Sequence, residues 1–572
     1  MTVPTAIMSR VSSRVVLSLS CLAASTMLSA CWILAGTEGF EDAPVGGGTP
    51  GEGGGGAEPC VGSACQAQGE SCEAPTDCAT GFCADGVCCE SACDGTCLSC
   101  ATNGQLGLCL EAPVGPAEAG ECEGFAMCDG AGHCAEGVYE LGRMFGGNNH
   151  QRAFGIAPAT RGFALAGTTD TAAQAWSLDN VINVGVTPGF NNDWFLARFN
   201  SSAMPQAGGN LGSNPIADPL GVHDELVDVA VDDNGDAYFV GWINAQLSFN
   251  GTTVGFSNSQ ADRDAVLAKF TESGAPVWAH HRGSAGNEDR GYAVAIAADG
   301  SIVWGGSQSM GMFVDVVTPQ APNGNQRLFG ALGDVVHDIA IGPSGEMAIA
   351  GVAMNPVTFD TGIAVTPNTN AGQGAPFVAV FQSPSGAALW AKGLEGNAIY
   401  GTALAVTFDS QGRVYVGGSV QGAAGDFGAG LEELPAGDQT HGVGYVLAYE
   451  ADGTYRWHHT LARAIGDGVR SLAVDAWDNV LAVGQLSGDV TIDDVTLQPG
   501  DAGALALKLS PNGTAIWGRV FGDSGQQSFE DAAFDGTNFL LCGGWTGPFP
   551  IAGGGETPPF GLTDMFVMAL SP

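Results

Sequence analysis

Basic side chains are scarce in this chain: 18 lysines and arginines stand against 60 aspartates and glutamates, a formal charge of −42. A field of that sign repels phosphate backbones and anionic lipid heads, which argues against nucleic acid as a partner. HExxH, P-loop and dinucleotide-binding patterns are absent, so no motif encodes their chemistry. Beyond the first 30 residues no run is long and apolar enough to cross a bilayer. Cysteine is rare outside one block, and Cys542 stands alone in an apolar strand (FLLCGG), as a buried, inert thiol would. Apolar residues are not lacking: at 45% they suffice for large cores.

The first 30 residues read as an export signal. Arg10 and Arg14 precede a short apolar core, VVLSLSCLAASTM from Val15, and Leu28-Ser29-Ala30-Cys31 follows. That ending resembles the lipobox of bacterial lipoproteins. The resemblance implies cleavage before Cys31 and acylation of that residue as the lipid anchor; the alternative is ordinary cleavage nearby with Cys31 unmodified. Residue 32 is Trp rather than Asp, so the inner-membrane retention signal of some lipoproteins is absent. The expectation is a cell-envelope protein, lipid-anchored at the outer membrane or cell surface. Residues 31–59 are rich in Gly and Pro and cannot repay their own ordering entropy, which makes them a tether. Its root-mean-square reach is roughly 25–30 Å.

Residues 60–137 hold 14 of the 17 cysteines: Cys60, Cys65, Cys72, Cys78, Cys83, Cys88, Cys89, Cys93, Cys97, Cys100, Cys109, Cys122, Cys128 and Cys134. An even count, dense spacing and an export signal predict disulfides that replace an apolar core, with connectivity open. The phrase CATGFCADGVCCESACDGTCLSC resembles small cysteine-rich modules of secreted bacterial proteins. The competing reading is a metal site, with Cys93, Cys97 and Cys100 at zinc-like spacing.

From 138 to 572 one phrase recurs seven times: an apolar run, a tight turn, a second apolar run, a glycine. It reads GIAPATRGFALAG from Gly155, DVAVDDNGDAYFVG from Asp228, AVAIAADGSIVWGG from Ala293 and DIAIGPSGEMAIAG from Asp338. ALAVTFDSQGRVYVGG from Ala403, SLAVDAWDNVLAVG from Ser471 and DAAFDGTNFLLCGG from Asp531 complete the set. Alternation around a turn marks a β-hairpin, and its repetition predicts a propeller or solenoid. Most units add an apolar strand such as DAVLAKF from Asp264, then a strand carrying Trp278, Trp390, Trp457 or Trp517. Four antiparallel strands make one blade. Two units are irregular: no third strand is recognisable between Met310 and Asp334, and the stretch from Met204 to His223 lacks tryptophan.

The chain ends after the third strand of its seventh unit, and YELGRMFGG from Tyr139 parallels the IWGRVFGD preceding that unit. The leading strand is therefore expected to pair with 565–570 and close a seven-bladed β-propeller. Closure leaves no open edge around the circle, unlike a solenoid. These residues resemble the SBBP-type β-propeller repeat of exported bacterial proteins. That resemblance implies a propeller and carries no catalytic residues.

Candidate sites are few. His280, Lys392, His459 and Arg519 recur two places past the strand tryptophan, and Arg143 and Arg327 are their candidate equivalents in units without one; charge at an outer edge there blocks aggregation. Asp232, Asn234 and Asp236 have calcium-loop spacing without the loop's glycine or glutamate in place; turn chemistry explains them too. Long connections after each second strand offer Trp176, Asp179, Asp360, Asp426 and Asp493 as contributors to a binding surface, or else merely thicken the blades. The expected function is a membrane-anchored propeller serving as a binding or scaffold platform for a protein or glycan, without a required cofactor. The alternative is a hydrolase or lyase on a glycan. Histidines, tyrosines and carboxylates gathered at the axial channel would favour that alternative, although the inner strands are mostly Ala and Val.

Overall fold

The computed structural model describes residues 65–72, 74–93, 98–101, 106–111, 115–116 and 127–128 of the cysteine-rich region. From 139 onward it describes all but the short stretches 147–149, 171–175, 179–181, 185–191, 212–223, 245, 256–262, 284–286, 368–373, 398–399, 423, 434–441, 464–467, 494, 500–501, 523–526, 551–555 and 561. Chain packing forms a small unit ending at Ala112 and a large one running from Pro113 to Pro572.

In the small unit, disulfides join Cys72–Cys83, Cys78–Cys88, Cys89–Cys100 and Cys93–Cys109. Cys65 is also disulfide-bonded. The strands are two residues long, as in Cys83–Ala84 against Val87–Cys88 and Leu98–Ser99 against Leu110–Glu111. Between residues 65 and 111 the buried apolar residues described are Cys78, Cys88, Cys89 and Cys100. Sulfur takes the place of an aliphatic core, as expected where so few apolar side chains are available.

The large unit is a seven-bladed propeller. Blade 1 is Gln151–Ala159, Gly162–Asp170, Asn192–Phe199 and Pro205–Leu211, each strand antiparallel to the next. Blades 2 to 6 repeat that order, with inner strands Glu225–Val231, Arg290–Ile296, Val335–Ile341, Tyr400–Phe408 and Gly468–Val474. Blade 7 contains Ser528–Phe534, Phe539–Trp545 and Asp564–Leu570, and Tyr139–Phe145 is its fourth strand. Each inner strand packs beside the next, and the last meets the first. Seven apolar clusters fill the seven junctions, including one of Phe145, Ile156, Phe163, Leu540 and Met565 between blades 7 and 1. The ring is closed.

Middle strands read as unbroken apolar runs because each blade is covered on both faces. AYFVGWI (Ala237–Ile243) and DAVLAKF (Asp264–Phe270) are buried at every position. Blade 3 corrects the impression of a missing strand. Gly311–Thr318 (GMFVDVVT) is its third strand, entered by a tight turn at Met310 instead of a long connection. In blade 1, Pro205–Leu211 fills the outer position without a tryptophan.

The glycine ending each repeated phrase has a steric cause. Every inner strand carries a β-bulge at one register, as between Leu226 and Asp228 or Val336 and Asp338. The glycine lies opposite that bulge, where an inner-strand carbonyl leaves no room for a Cβ. A methyl on Gly241 would stand 1.8 Å from the Glu225 oxygen, and one on Gly351 1.9 Å from that of Val335.

Candidate functional site

The seven bulges build a ring on the axial channel. Their extra residues, in blade order, are Phe154, Val227, Tyr292, His337, Leu404, Arg470 and Glu530. All are half-buried. A bulge places an unpaired residue and re-aims its neighbour. The neighbours in blades 2, 4 and 7 are Asp228, Asp338 and Asp531, and each reaches into the next blade. Asp228 accepts the Val294 amide at 2.7 Å and its own neighbour's, Val229, at 2.7 Å. Asp338 accepts Val406 and Ile339, both at 2.7 Å. Asp531 accepts Ile156 across the closing junction at 2.8 Å, and Ser471 Oγ donates to it at 2.6 Å.

Burial dominates the electrostatics of these carboxyls. It lifts Asp338 to about 7 and Asp531 to about 6, against the lowering effect of their hydrogen bonds, and raises Asp228 well above the carboxylate range. Mutual repulsion adds to the rise. His337 stacks edge-on against Tyr292 at 5.1 Å, and burial pushes it down to about 4. Glu530 is held by Arg470 at 3.0 Å and by the Ser528 hydroxyl at 2.6 Å. The channel thus carries more titratable groups than its alanines and valines suggest, and most are engaged in joining blades.

The outer strands also serve the joints. The indole N–H of Trp278, Trp390 and Trp457 donates to Pro319, Ala451 and Pro511, each in the third turn of the following blade, at 2.9–3.0 Å. Blade 7 has no such turn, because its last two strands come from opposite ends of the unit; Trp517 Nε1, buried, has no hydrogen-bond partner among the described residues. Basic residues expected to guard outer edges reach the same turns. Arg143 donates to the Ala203 carbonyl at 3.1 Å, Arg327 to Gly386 at 2.9 Å and His459 Nε2 to Gly513 at 2.6 Å. His280 lies 3.7 Å from buried Asp315, which Arg282 holds at 2.8 Å.

In blades 1, 2, 4 and 6 the long connections fold back as hairpins along the outer strand of their own blade, covering its edge. Asp493 accepts the Ala515 amide of that strand at 2.8 Å, and Asn250 donates to the Val277 carbonyl at 3.1 Å. Trp176 starts the blade 1 hairpin (Trp176–Leu178), Asp360 ends a hairpin strand in blade 4, and Asp426 belongs to blade 5. These positions are spread around the circumference. Asp179, like Cys31, Cys60, Cys97, Cys122 and Cys134, lies outside the described residues; Cys128 pairs with Gly115 in a short ladder.

At the acidic turn of blade 2, Asp232 Oδ1 accepts the Asn234 and Asp236 amides at 2.9 Å, and Oδ2 accepts the Tyr238 hydroxyl at 3.0 Å. Asp236 pairs with Lys269 at 2.7 Å. Turn hydrogen bonds account for the spacing of these residues. Among the described residues, ligand-type side chains gather closely only as Cys72, Cys78 and Cys88, and as Cys89, Cys93 and Cys100, whose thiols are taken up by bridges.

Blade 5 departs most from the repeat. Its hairpin, Ala424–Asp426 and Leu431–Glu433, gains a third strand, Glu395–Asn397, from the preceding connection. Beside it a cleft of about 370 Å³ opens between blades 4 and 5, lined by Lys392, Asp426, Phe427, Tyr449, Asp452, Thr454 and Tyr455 with intervening glycines. Lys392 and Asp426, singled out separately in the sequence, both line it, but they lie in different blades and no sequence pattern joined them.

No protein-family model and no curated protein matches the chain. Solved structures similar to it include YCF48 bound to a D1 peptide (11% identity, 76% of this chain and 96% of that one, TM-score 0.38). Others are Sqt1 from Chaetomium thermophilum (9%, 77% and 99%, 0.36) and the polysaccharide lyase Uly1 (11%, 76% and 92%, 0.36). Likenesses this distant carry no functional argument. The fold stands on the strand ladders: a seven-bladed β-propeller following a disulfide-rich region.

Proposed function

We propose that the chain is a lipoprotein of the cell envelope, anchored through Cys31, whose propeller of SBBP-type repeats is a rigid platform for a protein or glycan partner. The observation that carries the platform reading is the fate of the channel carboxylates. Asp228, Asp338 and Asp531 are engaged by backbone amides of neighbouring blades, so the place where a propeller enzyme would gather reactive groups holds the ring together. Tyr292 and His337 are the pair on which the alternative, a glycan hydrolase or lyase, would draw. The anchor reading is supported by Arg10, Arg14 and the apolar core ahead of Leu28-Ser29-Ala30-Cys31.

Fractionation of the full chain tests the anchor. The protein is expected in the membrane fraction with an acylated amino-terminal peptide by mass spectrometry, and Cys31→Ala is expected to release it. An unmodified Cys31 in a soluble protein overturns it. Pull-down from envelope extracts, with and without calcium, tests the platform; a single saturable partner supports it. Turnover of an envelope glycan, lost in His337→Ala, would replace it with the enzyme reading.

A further inference from the structure

We propose that the cleft between blades 4 and 5 binds a neutral, hydroxyl-rich glycan segment of one or two sugar rings. The inference rests on the platform reading and assigns its ligand class. Tyr449 carries most of the argument. It is 4% exposed, yet it lines the cleft, and its hydroxyl makes no hydrogen bond to the described residues. A hydroxyl that opens into the cleft without a protein partner offers one donor and an acceptor to a bound molecule. Burial, followed by the Asp426 and Tyr455 charges, raises its pKa, so it remains a neutral donor.

The surrounding groups suit alternating donors and acceptors. Lys392 is exposed on the blade 4 side, while Asp452 and Thr454 stand on the blade 5 turn. Asp452 is held below the usual carboxylate range by hydrogen bonds from Thr454 and, more weakly, by the Lys392 charge. Carboxylates accept from sugar hydroxyls and lysine donates to their oxygens. Tyr455 is fixed by a 2.9 Å hydrogen bond between its hydroxyl and His458 Nδ1, and its ring flanks the cleft beside Gly428. An oriented aromatic ring among polar groups matches a sugar's apolar face and hydroxyl rim. The volume is at the small end of ligand sites, roughly 300–1,000 Å³. One cation facing two carboxylates, on a chain of charge −42, disfavours an anionic polymer.

The test is calorimetric titration of the full-length chain with cellotriose, maltotriose, xylotriose and chitotriose. At least one is expected to bind, with Lys392→Ala and Asp452→Asn each weakening it tenfold or more and Tyr449→Phe about threefold or more. Both exposed-site variants are expected to melt with the parent. No binding by any of the four, or equal binding by both exposed-site variants, overturns the assignment. The envelope pull-down separates this from the platform reading. A partner retained by a chain that binds no trisaccharide leaves the platform standing and the cleft assignment refuted. Trisaccharide binding lost in the variants, without any envelope partner, does the reverse.

Discussion

Met144 lies opposite Phe566 in the antiparallel ladder that makes the leading strand of the large unit the fourth strand of its last blade. Both side chains are buried in one cluster with Phe529 and Trp545, between blades 6 and 7. Shortening Met144 leaves a cavity at the closure. Met144→Ala is expected to cost roughly 2–5 kcal/mol in denaturant unfolding of the whole ring. A loss confined to the leading strand, with the rest unaffected, would show that closure contributes nothing to the ring.

Turn glycines separate backbone strain from crowding. Gly513 has φ +88°, and a Cβ there would meet the Trp457 ring at 2.7 Å. Gly300 has φ +79° with open space around it. Alanine at either pays for a left-handed backbone, about 1–2 kcal/mol. Gly513→Ala should add about 1–3 kcal/mol for overpacking against the tryptophan of the preceding blade. Comparable melting shifts for the two variants would refute the tryptophan-on-turn joint.

The channel carboxyls set a pH dependence whose sign can be worked out. Asp338 is raised to about 7 and Asp531 to about 6 by burial. A carboxyl raised on folding stabilises the fold below its unfolded value, about 3.9, and loses that contribution as pH rises through the folded value. His337, lowered to about 4, acts oppositely: its contribution is present above about 6.5 and lost on acidification. Between about pH 4 and 6 the single histidine offsets one of the two carboxyls and leaves a net fall, and above about pH 6.5 only Asp338 still acts. Stability is expected to fall between about pH 4 and 7, by up to ~1.4 kcal/mol per pH unit for each carboxyl still protonated in the fold, Asp531 dropping out near pH 6 and Asp338 near pH 7. Asp338→Asn keeps one of two acceptors and should be less stable at pH 6 but flatter across that window. An unchanged slope in melting experiments contradicts the assignment.

Reduction should act on one unit. The small unit's described buried apolar residues are all cysteines, while Cys542 is the propeller's buried free thiol. Dithiothreitol is therefore expected to unfold residues 72–109 and leave the propeller's melting transition in place. Proteolysis followed by mass spectrometry reads both. Loss of the propeller transition on reduction would contradict this division.

Much of this was legible in one dimension. The hairpins of the repeated phrase, and the match of YELGRMFGG to IWGRVFGD, name the blades and their closure, because alternation and turns are local signals. GMFVDVVT escaped because Asp315, buried in mid-strand against Arg282 of the neighbouring blade, interrupts an otherwise apolar run. The Asp228, Asp338 and Asp531 joints depend on a bulge, which shifts the alternation by one residue and leaves no mark except the glycine opposite. The blade 4–5 cleft was invisible, since Lys392 and Asp452 meet only when adjacent blades pack.

Amide hydrogen exchange on the full-length chain, followed peptide by peptide, is the most direct test of the ring. Tyr139–Phe145 and Asp564–Leu570 should be protected together, and to the same degree as the outer strands of blades 4 to 6. Free exchange of Tyr139–Phe145 beside a protected Asp564–Leu570 would mean that the circle is not sealed by its leading strand.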